Sequence, residues 1–235
     1  MKELRTIFIL PLFIVVGFLS CSNSVEKNDT TKNKMSFNYL ALGDSYTIGE
    51  SVLPTQNFPF QLQDTIARHF NKTTNYKIIA KTGWTTTDLL SAIKKQNLSN
   101  NYNLVTLLIG VNNQYQGKPF SLYEREFPKL LDIAIQAAQG NPKNVVVVSI
   151  PDYAFTPFGQ KSSNSKKISE EIDQYNAFAK EIATKKGVAF QDITDITRTG
   201  LANQELVAKD GLHPSATAYT LFVDRLFNLV KEGVD

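Results

Sequence analysis

The sequence predicts a three-layer α/β/α domain on a five-stranded parallel sheet, and two observations carry that prediction. Short apolar, β-rich runs alternate along the chain with longer stretches of helical period, as a layered α/β domain requires. Runs such as "NVVVVSI" are apolar on both faces, which suits strands covered on either side by helices. Residues 37–235 supply this domain, enough chain for one sizeable core.

The first residues form a separate element. Lys2 and Arg5 precede an unbroken apolar run, Ile7 to Leu19, and polar residues follow it. That run is shorter than the about 20 residues a membrane-spanning helix needs and has the length of a secretory signal, so residues 1–20 are expected to be a signal peptide. Cys21 stands just beyond and is the only cysteine, which excludes an intrachain disulfide and any two-cysteine metal site. The string "GFLSC" resembles the lipidation site of bacterial lipoproteins, with Ser20 and Phe18 in place of commoner residues. By that resemblance Cys21 would carry lipid, and the protein would be exported and anchored in a bacterial cell envelope. The polar stretch "SNSVEKNDTTKNKMS" that follows cannot bury a face, so residues 21–36 are expected to form a tether with a reach of about 20 Å.

Within the domain the expected strands are Tyr39 to Leu42, Tyr76 to Ala80, Leu104 to Ile109, Val145 to Ile150 and Val188 to Phe190. The expected helices are Phe58 to Phe70, Thr87 to Gln96, Leu122 to Gln139, Ile168 to Lys186 and Ala216 to Lys231. Pro214 is expected in the first turn of the last helix, with His213 at or just before its start. The 25 basic and 22 acidic residues leave a small surplus without a dense basic stripe, which gives no footprint for nucleic acid. "KSSNSKKISEE" reads as a solvated helix start.

In a parallel sheet, ligands bind beyond the carboxyl ends of the strands, near the switch in strand order. Chemically capable residues gather at those ends. The first strand runs into Gly43-Asp44-Ser45-Tyr46, the second into Thr82-Gly83-Trp84 and the third into Gly110-Val111-Asn112-Asn113, while "DGLHP" precedes the last helix. A serine hydroxyl attacks an acyl group only when a base takes its proton, and imidazole suits that task near neutral pH. Of the two histidines, His69 ends a helix, where the helix dipole is reason enough for it. His213 follows Asp210 by three residues, so Asp210 can fold back to one ring nitrogen and leave the other to face Ser45. Negative charge on the attacked oxygen needs donors already in place, for which the Ser45 and Gly83 N–H groups and the Asn112 amide qualify. Each residue alone has an ordinary explanation as a turn or cap; their combination does not.

The blocks "GDSY", "TGW", "GVNN" and "DGLHP", in that order, resemble the SGNH or GDSL-type hydrolases, a family of esterases and lipases, and span essentially the whole domain. The resemblance implies a flavodoxin-like sandwich, and no cofactor is expected. It implies Ser45 as nucleophile, His213 as base, Asp210 as its orienter, and the Ser45 N–H, Gly83 N–H and Asn112 as the oxyanion hole. Tyr46 replaces the leucine of the family's name, and Asn113 stands where many members carry aspartate, which bears on loop packing or substrate contacts.

Other plans fit less well. The nucleophile elbow G-x-S-x-G fails at Thr47, a phosphate loop fails at Asn112, and neither H-E-x-x-H nor clustered histidines offer a metal site. A tethered ligand-binding lipoprotein would explain the fold but not the D-x-x-H-P string. An acyltransferase with the same triad, or a lysophospholipase or thioesterase, remains a rival for the substrate. "PDYAFTPFG" after the fourth strand, with Trp84 beside Gly83, yields the narrower expectation that Trp84, Phe155 and Phe158 wall a compact pocket for short acyl groups, such as acetyl esters on sugars.

Overall fold

The computed structural model describes residues 36–233. The expected signal, Cys21 and all of the expected tether except Ser36 lie outside the described residues. Ser36 itself opens the first strand, β1 (Ser36–Gly43). In chain order there follow α1 (Ser45–Ile48), α2 (Phe58–Phe70), β2 (Thr73–Ala80), α3 (Thr86–Lys94), β3 (Leu104–Leu108), α4 (Val111–Tyr115) and α5 (Phe120–Ala137). The remainder is β4 (Val145–Val148), α6 (Ser165–Lys185), β5 (Ala189–Gln191), α7 (Thr194–Thr197) and α8 (Ala216–Val230).

The strands pair in the order β2-β1-β3-β4-β5, parallel throughout. The chain steps outward from β1 to β2, then crosses back over β1 to reach β3. Right-handed crossovers therefore send α2 to one face and α3 to the other. The packing follows: α2 lies against α8, while α3, α5 and α6 form a second contiguous group. Tyr39 to Leu42 and Val145 to Val148 are buried, as strands covered on both sides must be. The one hydroxyl that β1 takes into this core, that of Tyr39, is satisfied by Thr106 Oγ1 on β3 at 2.8 Å.

The boundaries that differ from the sequence reading have local causes. β2 begins earlier than expected because "TTN", although polar, pairs with Ser36 to Asn38 at the sheet edge. β4 stops at Val148; beyond it the Ile150 N–H turns from the sheet to Asn176 Oδ1, at 2.8 Å. The single-turn helices α1, α4 and α7 are too short to show a helical period. Pro214 is a correction: it lies outside α8, in an isolated antiparallel bridge with Val207. Ser215 takes the capping role instead, its Oγ accepting the Ala218 N–H at 3.2 Å.

One register positions the site. Gly43 pairs with Ala80 on one side and with Leu108 on the other, so the loops bearing Ser45, Gly83 and Asn112 leave the sheet side by side at the switch point.

Candidate active site

Ser45 is the first residue of α1 and is 3% exposed. The strand can turn this sharply into a helix only without a side chain at position 43. A Cβ on Gly43 would lie 2.1 Å from Thr47 Oγ1 and 2.4 Å from the Leu108 carbonyl oxygen. Asp44 caps the turn, its Oδ1 accepting the Tyr46 N–H at 3.0 Å. Among the described residues the Ser45 N–H has no protein acceptor, and it stays free as a donor.

Gly83 sits at φ +82°, a left-handed conformation glycine adopts without strain, in a turn closed by the Trp84 N–H on the Lys81 carbonyl at 3.2 Å. α4 and the residue that caps its C-terminus hold that turn at two points. The Gln116 amide donates to the Gly83 carbonyl at 2.9 Å, and Asn113 pairs with Thr86 at the start of α3. Asn113 Oδ1 accepts the Thr86 N–H at 2.9 Å, and its Nδ2 donates to Thr86 Oγ1 at 2.8 Å. Asn113 is fully buried, so of its two expected contributions the structure assigns loop packing: it ties the Gly83 turn to the Asn112 turn.

His213 and Asp210 share a small closed turn. The Ala208 N–H donates to the His213 carbonyl at 2.7 Å, and the Gly211 N–H to the Ala208 carbonyl at 2.9 Å, below the Val207–Pro214 bridge. Asp210 Oδ1 accepts the Leu212 and His213 N–H groups at 2.9 and 3.0 Å. Its Oδ2 lies 2.6 Å from His213 Nδ1 and accepts the Ser51 hydroxyl, also at 2.6 Å. Burial alone would raise the Asp210 carboxyl, but these donors, Ser51 foremost, pull it down to about 2. With Oδ2 ionised at neutral pH, Nδ1 is the protonated nitrogen of a neutral imidazole, which leaves Nε2 as an acceptor.

Asp44 shows the opposite shift. Full burial pushes its carboxyl up to about 7, against the opposing pull of the Tyr46 N–H and the nearby Asn112 amide. Asp44 Oδ2 and Asn112 Nδ2 are both buried without a hydrogen-bond partner among the described residues. An amide N–H₂ left unpaired in this way is available to an incoming oxygen.

A cavity of about 260 Å³ brings four of the expected residues together: Ser45, Gly83, Asn112 and His213 all line it. No hydrogen bond joins the Ser45 and His213 side chains among the described residues. Tyr46 packs its ring 5.1 Å from the imidazole. Of the expected pocket residues, Phe158 lines the cavity, whereas Phe155 and Trp84 do not; both pack half-buried against the core. The cause at 155 is the 3₁₀ turn Tyr153–Phe155, which sends neighbouring side chains in different directions and gives the wall to Tyr153. Tyr115, Tyr153 and Leu212 complete the apolar wall. Tyr115 is 56% exposed at the cavity, with its ring 5.9 Å from Tyr153 and 6.1 Å from Phe158. His69 stands apart at the end of α2, its ring against Phe70 and Phe227. A larger hollow of about 450 Å³ at the opposite edge of the sheet, near Phe37 and Val188, is lined by no serine, histidine or carboxylate. Among the described residues no group of three or more His, Cys, Asp or Glu could hold a metal ion.

The doubly wound parallel sheet with its site at the switch point defines an open α/β/α architecture rather than any single activity. The sequence is more specific: residues 41–221 match the family model described as GDSL-like Lipase/Acylhydrolase, and the chain belongs to that family. It is therefore a hydrolase acting on ester bonds. Curated proteins gave no match at the sequence level. Solved structures share the fold. TesA superposes with a TM-score of 0.63 at 16% identity over 83% of this chain and 99% of its own. A lipase/acylhydrolase from Enterococcus faecalis gives 0.60 at 20% identity over 83% of this chain and 96% of its own. A catalytic mutant of an acetylxylan esterase from Geobacillus stearothermophilus gives 0.62 at 16% identity over 84% of this chain and 96% of its own.

Proposed function

We propose that the protein cleaves carboxylic esters through an acyl-enzyme on Ser45, with short-chain acyl groups, including acetyl esters of carbohydrates, as its substrates. The observation that carries this reading is the 260 Å³ cavity lined by Ser45, Gly83, Asn112 and His213 together, with Asp210 Oδ2 held 2.6 Å from His213 Nδ1. His213 Nε2 takes the Ser45 proton as Oγ attacks the carbonyl carbon, and Asp210 stabilises the imidazolium that forms. The Ser45 N–H, Gly83 N–H and Asn112 Nδ2 receive the developing oxyanion. His213 then returns the proton to the leaving alkoxide, and water repeats the sequence in reverse to free the acid.

The acyl preference rests on the wall of Tyr115, Tyr153, Phe158 and Leu212, which keeps the cavity small. The similarity to an acetylxylan esterase supports the same class. We read residues 1–20 as an export signal, Cys21 as a lipid-bearing residue and residues 22–35 as the tether of this hydrolase domain. Within the described residues no helix is long and apolar enough to cross a membrane.

The test is the acyl-chain profile. p-Nitrophenyl acetate and butyrate should be cleaved with higher kcat/KM than the decanoate, and Phe158→Ala should move the preference toward longer chains. Ser45→Ala should abolish both hydrolysis and labelling by a fluorophosphonate. A wild-type optimum at octanoate or longer would reject the compact pocket and favour a lysophospholipase or thioesterase. Labelling that persists in Ser45→Ala would reject the nucleophile.

A further inference from the structure

Ser51 is three residues beyond the end of α1 and carries φ +69°, a left-handed backbone that a residue other than glycine seldom adopts. That turn aims its hydroxyl across the site. Ser51 Oγ donates to Asp210 Oδ2 at 2.6 Å, the same oxygen that faces His213 Nδ1 at 2.6 Å. The preceding residue reaches the other way, with the Glu50 carboxylate accepting the Thr82 hydroxyl beside Gly83. The segment that follows the nucleophile is thereby joined both to the base turn and to the Gly83 turn.

We propose that Ser51 is a positioning residue of the ester-cleaving machinery, fixing the Asp210 carboxylate to the nucleophile's own segment and sharing the charge of Oδ2 with the imidazole. The inference rests on the reading of Ser45, His213 and Asp210 as the triad. A hydroxyl donating to a carboxylate is a charge-assisted bond, stronger than a neutral one. Without it Asp210 keeps its backbone donors at Oδ1 but loses one of two anchors at Oδ2. The charge left on Oδ2 then acts on the imidazole alone.

The other titratable groups around this pair come from several elements. Tyr46 of α1 faces the imidazole, and Tyr219 of α8 lies in the field of Asp210, Asp44 and Glu50. Tyr46 itself feels Asp44, Tyr219, Tyr153 and Asp210. Burial holds Tyr46 and Tyr219 neutral, so neither enters the difference between the pH profiles of wild type and a Ser51 variant.

The experiment compares kcat and KM for p-nitrophenyl acetate across pH in wild type, Ser51→Ala, Ser51→Gly and Ser51→Thr, with Ser45→Ala and Asp210→Asn as references. Ser51→Ala should lower kcat by about tenfold, the scale of one lost charge-assisted bond. KM should stay unchanged, since Ser51 does not line the cavity, and the acid limb of kcat/KM should move to higher pH. Ser51→Gly relieves the left-handed strain and secures folding, yet should lose as much as Ser51→Ala; Ser51→Thr keeps a hydroxyl and should keep the wild-type acid limb. A Ser51→Gly enzyme as active as wild type would reduce Ser51 to a backbone role and overturn the proposal. So would superimposed profiles for all Ser51 variants while Ser45→Ala and Asp210→Asn are inactive, an outcome that leaves the triad standing. Activity retained in Ser45→Ala or Asp210→Asn would instead remove the triad, and the proposal with it.

Discussion

Asp44 and Asp210 begin the two halves of the site with the same local device. Each precedes the residue that matters by a short turn, and each turns one carboxyl oxygen back to the backbone: Asp44 Oδ1 to the Tyr46 N–H, Asp210 Oδ1 to the Leu212 and His213 N–H groups. Their second oxygens separate them. Asp210 Oδ2 takes the Ser51 hydroxyl and faces His213 Nδ1, while Asp44 Oδ2 is buried with no hydrogen-bond partner among the described residues. Full burial carries the Asp44 carboxyl up to about 7, whereas Asp210, nearer the surface and met by several donors, sits near 2. A turn aspartate becomes an obligate anion or a group that gives up its charge according to how deeply it is buried and what meets its outer oxygen, not according to the turn.

Replacing each by its isosteric amide should break the symmetry most. Asp210→Asn should lower kcat by about 10³–10⁴, because the amide favours the wrong imidazole tautomer and cannot stabilise the imidazolium. Asp44→Asn should lose on the order of tenfold or less at neutral pH, since an amide oxygen can still cap Tyr46. Steady-state kinetics decides, and equal losses would mean that Asp44 works as an anion. Asn112→Ala, which removes the amide beside Asp44, should cost about 10²–10³ in kcat with the thermal midpoint nearly unchanged. A wild-type rate would return Asn112 to a packing role.

Stability should divide the two carboxyls by sign. Between about 4, its value in the unfolded chain, and 7 in the fold, Asp44 holds a proton that the unfolded chain has released. Its contribution is fully present below that window, shrinks as pH rises through it, and by the top is lower by on the order of 3–4 kcal/mol. Asp210 runs the other way: its contribution is present above about 4 and is lost as pH falls toward 2. Denaturant unfolding of wild type and Asp44→Asn across pH should show the slope between about 4 and 7 in wild type only. An identical slope in the variant would assign it to another group.

Much of this was legible in the sequence because the signals were local. Apolar runs that stop at Gly43, Ala80 and Ile109 mark strand ends, and "DGLHP" puts a carboxylate within a turn of its histidine. What escaped depends on partners remote in the chain. Asn113 is a polar residue in a turn until Thr86 is seen beside it. Tyr115 belongs to a single-turn helix with no period to reveal its direction. Pro214 was expected inside the last helix because proline favours first turns, but Ser215 is the better cap and displaced the helix start beyond it.

The bond between Ser51 and Asp210 joins residues 159 positions apart, and in a parallel sheet such contacts follow the crossovers that bring their strands together. Contacts this distant are paid for in loop-closure entropy and slow a chain's folding. Trp84, the only tryptophan, reports on the turn beside β2, whereas hydrolysis reports on the joint between the two ends of the domain. In refolding, the interval between recovery of tryptophan emission and recovery of activity is thus a clock for closing that joint.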